Sequence, residues 1–249
     1  MKYILTSNQP QSLIEWKKNE SIEGQRHYDG SLPSDVKEDI RNHRVEDQGG
    51  LCAYTMREIV PLHDGTWDAH IEHVVARSYS KASGNLEETV DYKNMVVCVN
   101  KAANLPYGAS ARGDRELPVT PFDQSCERRF SFSLEGKMKS ANSSDAEAES
   151  TIEILRLNHD QLRDLRLAAM AREGFALHVS DNNSGNRFRP PKSLSSKAAR
   201  LLAETIVKPK PDGRLPAFCV AIAYAAWEHA KRVEKIAKQA ELKRRAATN

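Results

Sequence analysis

The sequence predicts an α+β fold in which a small strand-containing unit is embedded in a mostly helical scaffold. Two short apolar runs, residues 69–75 and 95–99, have the length and the β-branched composition of strands and are flanked by polar loops. Apolar residues at helical spacing dominate before and after this unit. The chain has 249 residues, 39% of them hydrophobic, so it can bury one full core or one core plus a smaller subdomain.

The N-terminal segment, residues 1–50, is predicted to be a helical lead-in. A helix is expected after Pro33, with Ser34 as its N-cap and with Gly49 and Gly50 as its stop signal. The chain then enters the central unit, residues 51–139, where short apolar runs alternate with loops.

A polar loop separates the central unit from a helical C-terminal region, residues 151–249. Asn158 is the expected cap of its first long helix, and residues 180–196 are predicted to form a loop or linker. A long helix follows Pro216, and its second half carries seven basic against three acidic side chains. That basic excess suits contact with phosphates and equally suits a solvated helix end.

The lengths of the uncharged stretches and the composition of the first ten residues argue against a membrane-spanning or secreted protein, whereas the net charge is not decisive. The 37 Lys and Arg against 34 Asp and Glu give a net charge of +3, which permits a nucleic-acid partner without requiring one. The longest uncharged stretch, residues 215–227, is shorter than the roughly 20 residues of a membrane span, and the first ten residues lack the apolar core of a signal peptide. Four scattered cysteines indicate free thiols or metal ligands. We therefore expect a cytoplasmic protein with no membrane partner.

Three acid, base or metal-binding groups occur within residues 70–73, His-Ile-Glu-His. On a regular strand His70 and Glu72 share one face and His73 lies on the other, so all three serve one site only where the strand ends or kinks. Downstream, Asn100 and Asn104 are four residues apart in a helix-compatible segment. On one helical face their oxygens would complete a hard divalent-ion site beside Glu72.

Six motifs occur in collinear order along the chain. They are Gln-Gly-Gly-Leu-Cys-Ala-Tyr at 48–54, His-Ile-Glu-His at 70–73, Asp-Tyr-Lys-Asn-Met-Val at 91–96, Arg-Gly-Asp at 112–114, Leu-Pro-Val-Thr-Pro at 117–121 and Cys-Glu-Arg-Arg-Phe at 126–130. Together they resemble the HNH endonucleases with a ββα-metal fold, and more narrowly the PtuB-like HNH proteins of retron and Septu-type bacterial antiphage defence. A further likeness at residues 151–158 extends the resemblance to about Met170.

The resemblance implies a role for each matching residue. His73 matches the general base that activates water, and Glu72 matches the acidic residue that binds Mg²⁺ or Mn²⁺. Asn94 matches the asparagine that opens the second strand and is expected to brace the loop that carries the base. The last metal ligand is expected from Asn104, Asn100 or residues 110–112, with Asn104 favoured. His70 is expected to bind metal or to hydrogen-bond Glu72, and the expected nucleic-acid contacts are Arg77, Lys101 and Arg112.

The cysteines depart from the family pattern. Relatives commonly carry a Cys-x-x-Cys knuckle where this chain has Cys52-Ala53-Tyr54-Thr55, and near the second strand only Cys98 remains. A structural zinc ion would therefore depend on Cys52, Cys98 and the distant Cys126, which is one ligand short of a full set.

The resemblance implies a metal-dependent HNH endonuclease that hydrolyses phosphodiester bonds of DNA or of an RNA such as tRNA. It also implies a defence system with an ABC/SMC-like (PtuA-like) ATPase partner, and in retron versions a reverse transcriptase with its RNA–DNA product. The helical C-terminal region is the expected partner surface. The alternative is a degenerate HNH module that binds nucleic acid or protein without cutting. The His-x-Glu spacing at 70–72 also occurs in zinc deaminases, but their Pro-Cys-x-x-Cys partner is absent from the sequence.

Overall fold

A computed structural model of the chain describes residues 1–100, 104–175, 177–181, 185–189 and 194–247. The helices are α1 (Gln11–Lys17), α2 (Ser34–Asp47), α3 (Arg77–Ala82), α4 (Ala109–Arg112), α5 (Ala146–Ile154), α6 (Asp160–Arg172), α7 (Ser196–Thr205) and α8 (Cys219–Ala247). The strands are β1 (Ala69–His73), β2 (Met95–Val99), β3 (Phe130–Phe132), β4 (Met138–Ser140), β5 (Leu177–Asp181) and β6 (Gly185–Arg189). They pair as antiparallel hairpins β1–β2, β3–β4 and β5–β6, so the protein belongs to the α+β class.

The hairpin β1–β2 lies between two apolar clusters. Its register pairs Ala69 with Val99 at one end and His73 with Met95 at the other. Ile71, Met95 and Val97 belong to a cluster with α1 and α2, whereas Val96 and Cys98 belong to the largest core. Because side chains alternate between faces along a strand, burial on both faces explains the continuous apolar run of β2.

The turn after α2 fixes the position of this hairpin. Gly49 and Gly50 have φ angles of 58° and 74°, a left-handed conformation that ends the helix as predicted. The buried Gln48 side chain receives a hydrogen bond from the Val97 N–H at 2.8 Å and donates to the Val97 carbonyl at 2.9 Å. The predicted N-cap is wrong, because the helix begins at Ser34 with Pro33 preceding it and no side chain caps it.

Two predictions for the C-terminal region are corrected. Helix α6 begins at Asp160, and the Asn158 side chain does not cap it but bonds both the N–H and the carbonyl of Met138, each at 2.7 Å. The expected loop over 180–196 is partly occupied by the β5–β6 hairpin, and residues 182–184 and 190–193 lie outside the described residues. Asn158 thus connects the segment between α5 and α6 to β4.

The three predicted segments share one core. The largest apolar cluster includes Met1 from the first segment, Leu51 and Phe130 from the central unit, and Ile152 and Cys219 from the last. The predicted boundary at residue 139 falls inside β4. In α8 the first half is largely buried, whereas the residues from 231 onward are mostly exposed. None of the helices in the described ranges combines the length and apolar composition of a membrane span.

Candidate active site

A cleft of about 610 Å³ opens where β1 ends, between α3 and α4. Its walls carry polar and charged side chains from distant parts of the sequence, among them Asp29, Glu72, His73, Arg77, Lys81 and Asn104. The end of β1 therefore brings Glu72 and His73 into one cleft although they point to opposite faces of the hairpin. His70 is not among the residues that line it.

The main chain of the loop before β2 fixes the His73 imidazole. The His73 Nε2 atom lies 2.8 Å from the Thr89 carbonyl oxygen. Because a carbonyl only accepts, Nε2 carries the proton and Nδ1 holds the lone pair in the neutral ring. The Tyr28 ring packs edge-on against the imidazole with 4.7 Å between centroids. Burial lowers the pKa of His73 to about 4, against the raising effect of the Thr89 hydrogen bond, so the ring is neutral at pH 7.

Asn94 ties the turn after β1 to the start of β2. Its Oδ1 atom accepts from the Val75 N–H at 2.6 Å, and its Nδ2 donates to the carbonyls of Val75 and Glu88, each at 3.2 Å. Asn94 is buried, and these bonds involve both polar atoms of its amide. The side chain thus braces the segment that follows His73.

Glu72 forms a buried ion pair with Arg112. The Arg112 Nη1 atom lies 3.0 Å from Glu72 Oε1, and the two side chains are 1% and 8% exposed. The guanidinium also donates to the His73 carbonyl at 2.6 Å, to the Tyr54 hydroxyl at 3.2 Å and to the Val74 carbonyl. Arg112 therefore holds the end of β1 through Glu72 and two main-chain carbonyls, next to the segment that Asn94 braces.

Arg112 was predicted to contact nucleic acid, and its burial argues against that role. The guanidinium is directed into the protein, where the Glu72 carboxylate and the carbonyls at the end of β1 accept its hydrogen bonds in place of water. Arg77 does line the cleft, with a side chain that is 36% exposed. Lys101 lies outside the described residues.

His70 lies next to Glu72 but does not line the cleft. Its Nε2 atom is 3.5 Å from Glu72 Oε2, without hydrogen-bond geometry, and within the described part of the chain neither ring nitrogen has a hydrogen-bond partner. The side chain is 17% exposed. His70 is therefore a neighbour of the Glu72 carboxylate on the same face of β1, as strand alternation predicts.

The predicted metal ligands are only partly brought together. Glu72 and Asn104 line the cleft, but Asn100 lies at the far end of the hairpin, where its N–H bonds the Asp68 carbonyl. Asn100 and Asn104 themselves lie outside helices, Asn104 with a φ of 43°, and residues 101–103 between them lie outside the described residues. Asparagine tolerates this left-handed conformation better than most residues.

The donors of the cleft still fit a hard divalent ion. A carboxylate and an amide oxygen are ligands that Mg²⁺ accepts, and this ion usually keeps several waters beside one or two protein ligands. Over the described residues no three His, Cys, Asp or Glu side chains converge on a common point. An ion would therefore rest on Glu72, Asn104 and oxygens of water or substrate, with Arg112 sharing the charge of the Glu72 carboxylate.

The cysteines predicted as zinc ligands lie in two places. Cys52 and Cys98 are within hydrogen-bonding contact, and Thr55 contacts Cys52 where relatives carry a second cysteine. Cys126 and Cys219 lie instead near the buried amino group of Met1. All four thiols are buried. The structure thus brings two of the three predicted zinc ligands together.

Several residues that line the cleft or contact His73 were not predicted from the sequence. Tyr28 and Asp29 come from the N-terminal segment, and Thr89 contributes a main-chain carbonyl that any residue type would supply. Lys81 follows Arg77 by one helical turn, so a basic pair at spacing i, i+4 was the signal available for it.

No protein-family model matches the chain, and no curated protein sequence matches it significantly.

Proposed function

We propose that the protein is a metal-dependent HNH endonuclease that hydrolyses phosphodiester bonds of DNA or of an RNA such as tRNA. One observation carries the proposal. At the end of an antiparallel hairpin, His73 keeps its Nε2 proton on a main-chain carbonyl and lines a cleft together with a carboxylate and cationic side chains. A histidine held in this tautomer has Nδ1 available to accept a proton from water.

Each side chain of the cleft has a role in this proposal. His73 accepts the proton of the attacking water through Nδ1, and Asn94 keeps the following turn in place. Glu72, with Asn104, would hold Mg²⁺ or Mn²⁺. When bound, such an ion stabilises negative charge on the scissile phosphate and on the departing oxygen. Arg77 and Lys81 balance the negative charge of the nucleic-acid backbone near the cleft.

The biological setting is a further part of the proposal and rests on the six collinear motifs. It makes the protein the effector nuclease of a retron or Septu-type antiphage system, with an ABC/SMC-like (PtuA-like) ATPase and, in retron versions, a reverse transcriptase with its RNA–DNA product. The sequence contains no Gly-x-x-x-x-Gly-Lys-Ser/Thr motif, so ATP dependence would come from the partner. The partner surface is assigned to α7 and α8. Removing residues 231–249, the mostly exposed end of α8, should weaken co-purification of the ATPase without removing core residues, and retention after removal of all of residues 180–249 would refute this assignment.

One observation favours a second candidate, a degenerate HNH module that binds nucleic acid or a partner protein without cutting. The Arg112 guanidinium is already paired with Glu72 at 3.0 Å, which places a cation beside the proposed metal ligand. A protein that relies on this pair in place of an ion would keep the fold of the site without the chemistry.

Cleavage assays separate the two candidates. DNA and RNA are incubated with the full chain, alone and with the ATPase partner, in Mg²⁺ or Mn²⁺. The nuclease proposal expects cleavage by the wild type and by His63→Ala, whose exposed imidazole lies outside the cleft, and loss of cleavage in His73→Ala. Cleavage that persists in His73→Ala, or absence of cleavage in every condition, would favour the binding module.

A further inference from the structure

The Asp29 carboxylate is held between two cations at the wall of the cleft. Asp29 Oδ2 lies 2.6 Å from Lys81 Nζ, and Oδ1 contacts Arg77 Nη1. Burial acts to raise the pKa of the Asp29 carboxyl, but the Lys81 hydrogen bond and the charges of Arg77 and Lys81 outweigh it and hold the pKa below its usual value. Asp29 is therefore an anion held by a lysine and an arginine within the cleft that His73 lines.

The two cations are arranged to bind an oxyanion. Arg77 and Lys81 are four residues apart on α3, so their side chains project from the same face of the helix. Their side chains are 36% and 49% exposed, and they reach different oxygens of one carboxylate. A phosphodiester, like a carboxylate, has two oxygens that share one negative charge, and arginine and lysine both bind this group readily.

The loop that carries Asp29 is fixed beside the cleft, but the Asp29 side chain is not enclosed. The Tyr28 N–H donates to Thr89 Oγ1 at 3.0 Å, and the Tyr28 ring packs on His73. The Asp29 side chain is 38% exposed. Rotation of this side chain toward solvent would release both cations without moving the loop.

We infer that Arg77 and Lys81 form a subsite for a backbone phosphate of the nucleic-acid substrate, and that Asp29 occupies this subsite until the substrate displaces it. The inference deepens the proposed function and rests on it. Asp29 then acts as an internal competitor that lowers affinity for nucleic acid. To bind, a substrate must place one backbone phosphate at Arg77 and Lys81 while another part of its backbone lies beside His73.

Binding measurements test the inference without requiring cleavage. The full chain is titrated into a fluorescein-labelled DNA duplex and a labelled RNA hairpin in EDTA, and dissociation constants are obtained from anisotropy over a series of salt concentrations. Asp29→Asn should bind about fivefold more tightly than the wild type, since it removes the competing charge and keeps the side-chain size. Glu23→Gln is the matched control, because it removes the same charge from an exposed position before the loop.

A variant of one cation, Lys81→Ala, tests whether the gain in affinity of Asp29→Asn arises at this subsite. In Lys81→Ala, affinity should fall and the salt dependence should lose about one phosphate contact. Adding Asp29→Asn to Lys81→Ala should then give less than about a twofold gain, because the subsite is already incomplete.

The inference is overturned if Asp29→Asn binds no more tightly than Glu23→Gln, if its gain survives in Lys81→Ala, or if neither nucleic acid binds. These outcomes are read from dissociation constants. Failure of the nuclease proposal is read separately, from cleavage that is absent or is unchanged in His73→Ala.

Discussion

Replacing Arg112 with methionine should destabilise the protein by about 4 kcal/mol, because it breaks a buried ion pair and leaves a carboxylate without its cation. Arg112 is 1% exposed and donates to the Glu72 carboxylate and to the carbonyls of His73, Val74 and Arg115. Methionine retains much of the side-chain volume, so the expected cost comes mainly from lost hydrogen bonds and uncompensated charge and less from a cavity.

Urea unfolding followed by circular dichroism at about pH 7 gives the free energy of unfolding by linear extrapolation. Arg128→Met is the matched control, since Arg128 is exposed and its replacement should change stability by less than about 0.5 kcal/mol. Adding Glu72→Gln to Arg112→Met should restore at least about 1 kcal/mol, because a neutral amide leaves no buried charge unpaired. A loss below about 1 kcal/mol in Arg112→Met, or no recovery in the double variant, would refute this account of the pair.

Three further predictions concern the site and its support. Burial lowers the pKa of His73 from 6.5 to about 4, so between pH 4 and pH 6.5 the unfolded chain binds more protons than the folded protein. The free energy of unfolding should therefore rise by up to about 3 kcal/mol as the pH rises through this range. His73→Gln should remove that rise in urea unfolding. Asn94→Ala should cost about 2 kcal/mol and lower any cleavage rate at least about tenfold, whereas Asn85→Ala, an exposed position in the preceding loop, should leave both unchanged. Asn158→Ala should cost about 1–3 kcal/mol in thermal or urea unfolding, because both polar groups of Met138 lose their partner.

Local sequence patterns predicted the strands β1 and β2, whereas the burial of Arg112 depends on contacts between residues that are distant in sequence. The apolar runs at 69–75 and 95–99 predicted β1 and β2, because strand composition and flanking loops are local properties. The burial of Arg112 had no such signal, since an Arg-Gly-Asp segment is typical of a surface loop. Its acceptors at the end of β1 are about 40 residues away in sequence and become neighbours only in the fold.

Asn100 and Asn104 show what a sequence spacing alone leaves open. A spacing of four residues predicts a common face only if the segment is helical. Pro106 and Gly108 follow directly, and the helix begins at Ala109, immediately after Gly108 with its φ of 74°. Asn104 therefore reaches the cleft from the segment just before α4, while Asn100 remains at the far end of β2.

The end of β1 gives two adjacent residues different electrostatic surroundings within one cleft. Strand alternation directs Glu72 toward Arg112 and directs His73 toward Thr89 and Tyr28. A cation therefore balances the charge on Glu72, whereas burial keeps His73 neutral at pH 7. Both side chains still border the cleft because pairing with β2 ends at this point. A charged oxygen ligand and a neutral base are the two groups that the proposed hydrolysis needs side by side, and a continuous strand would keep them on opposite faces.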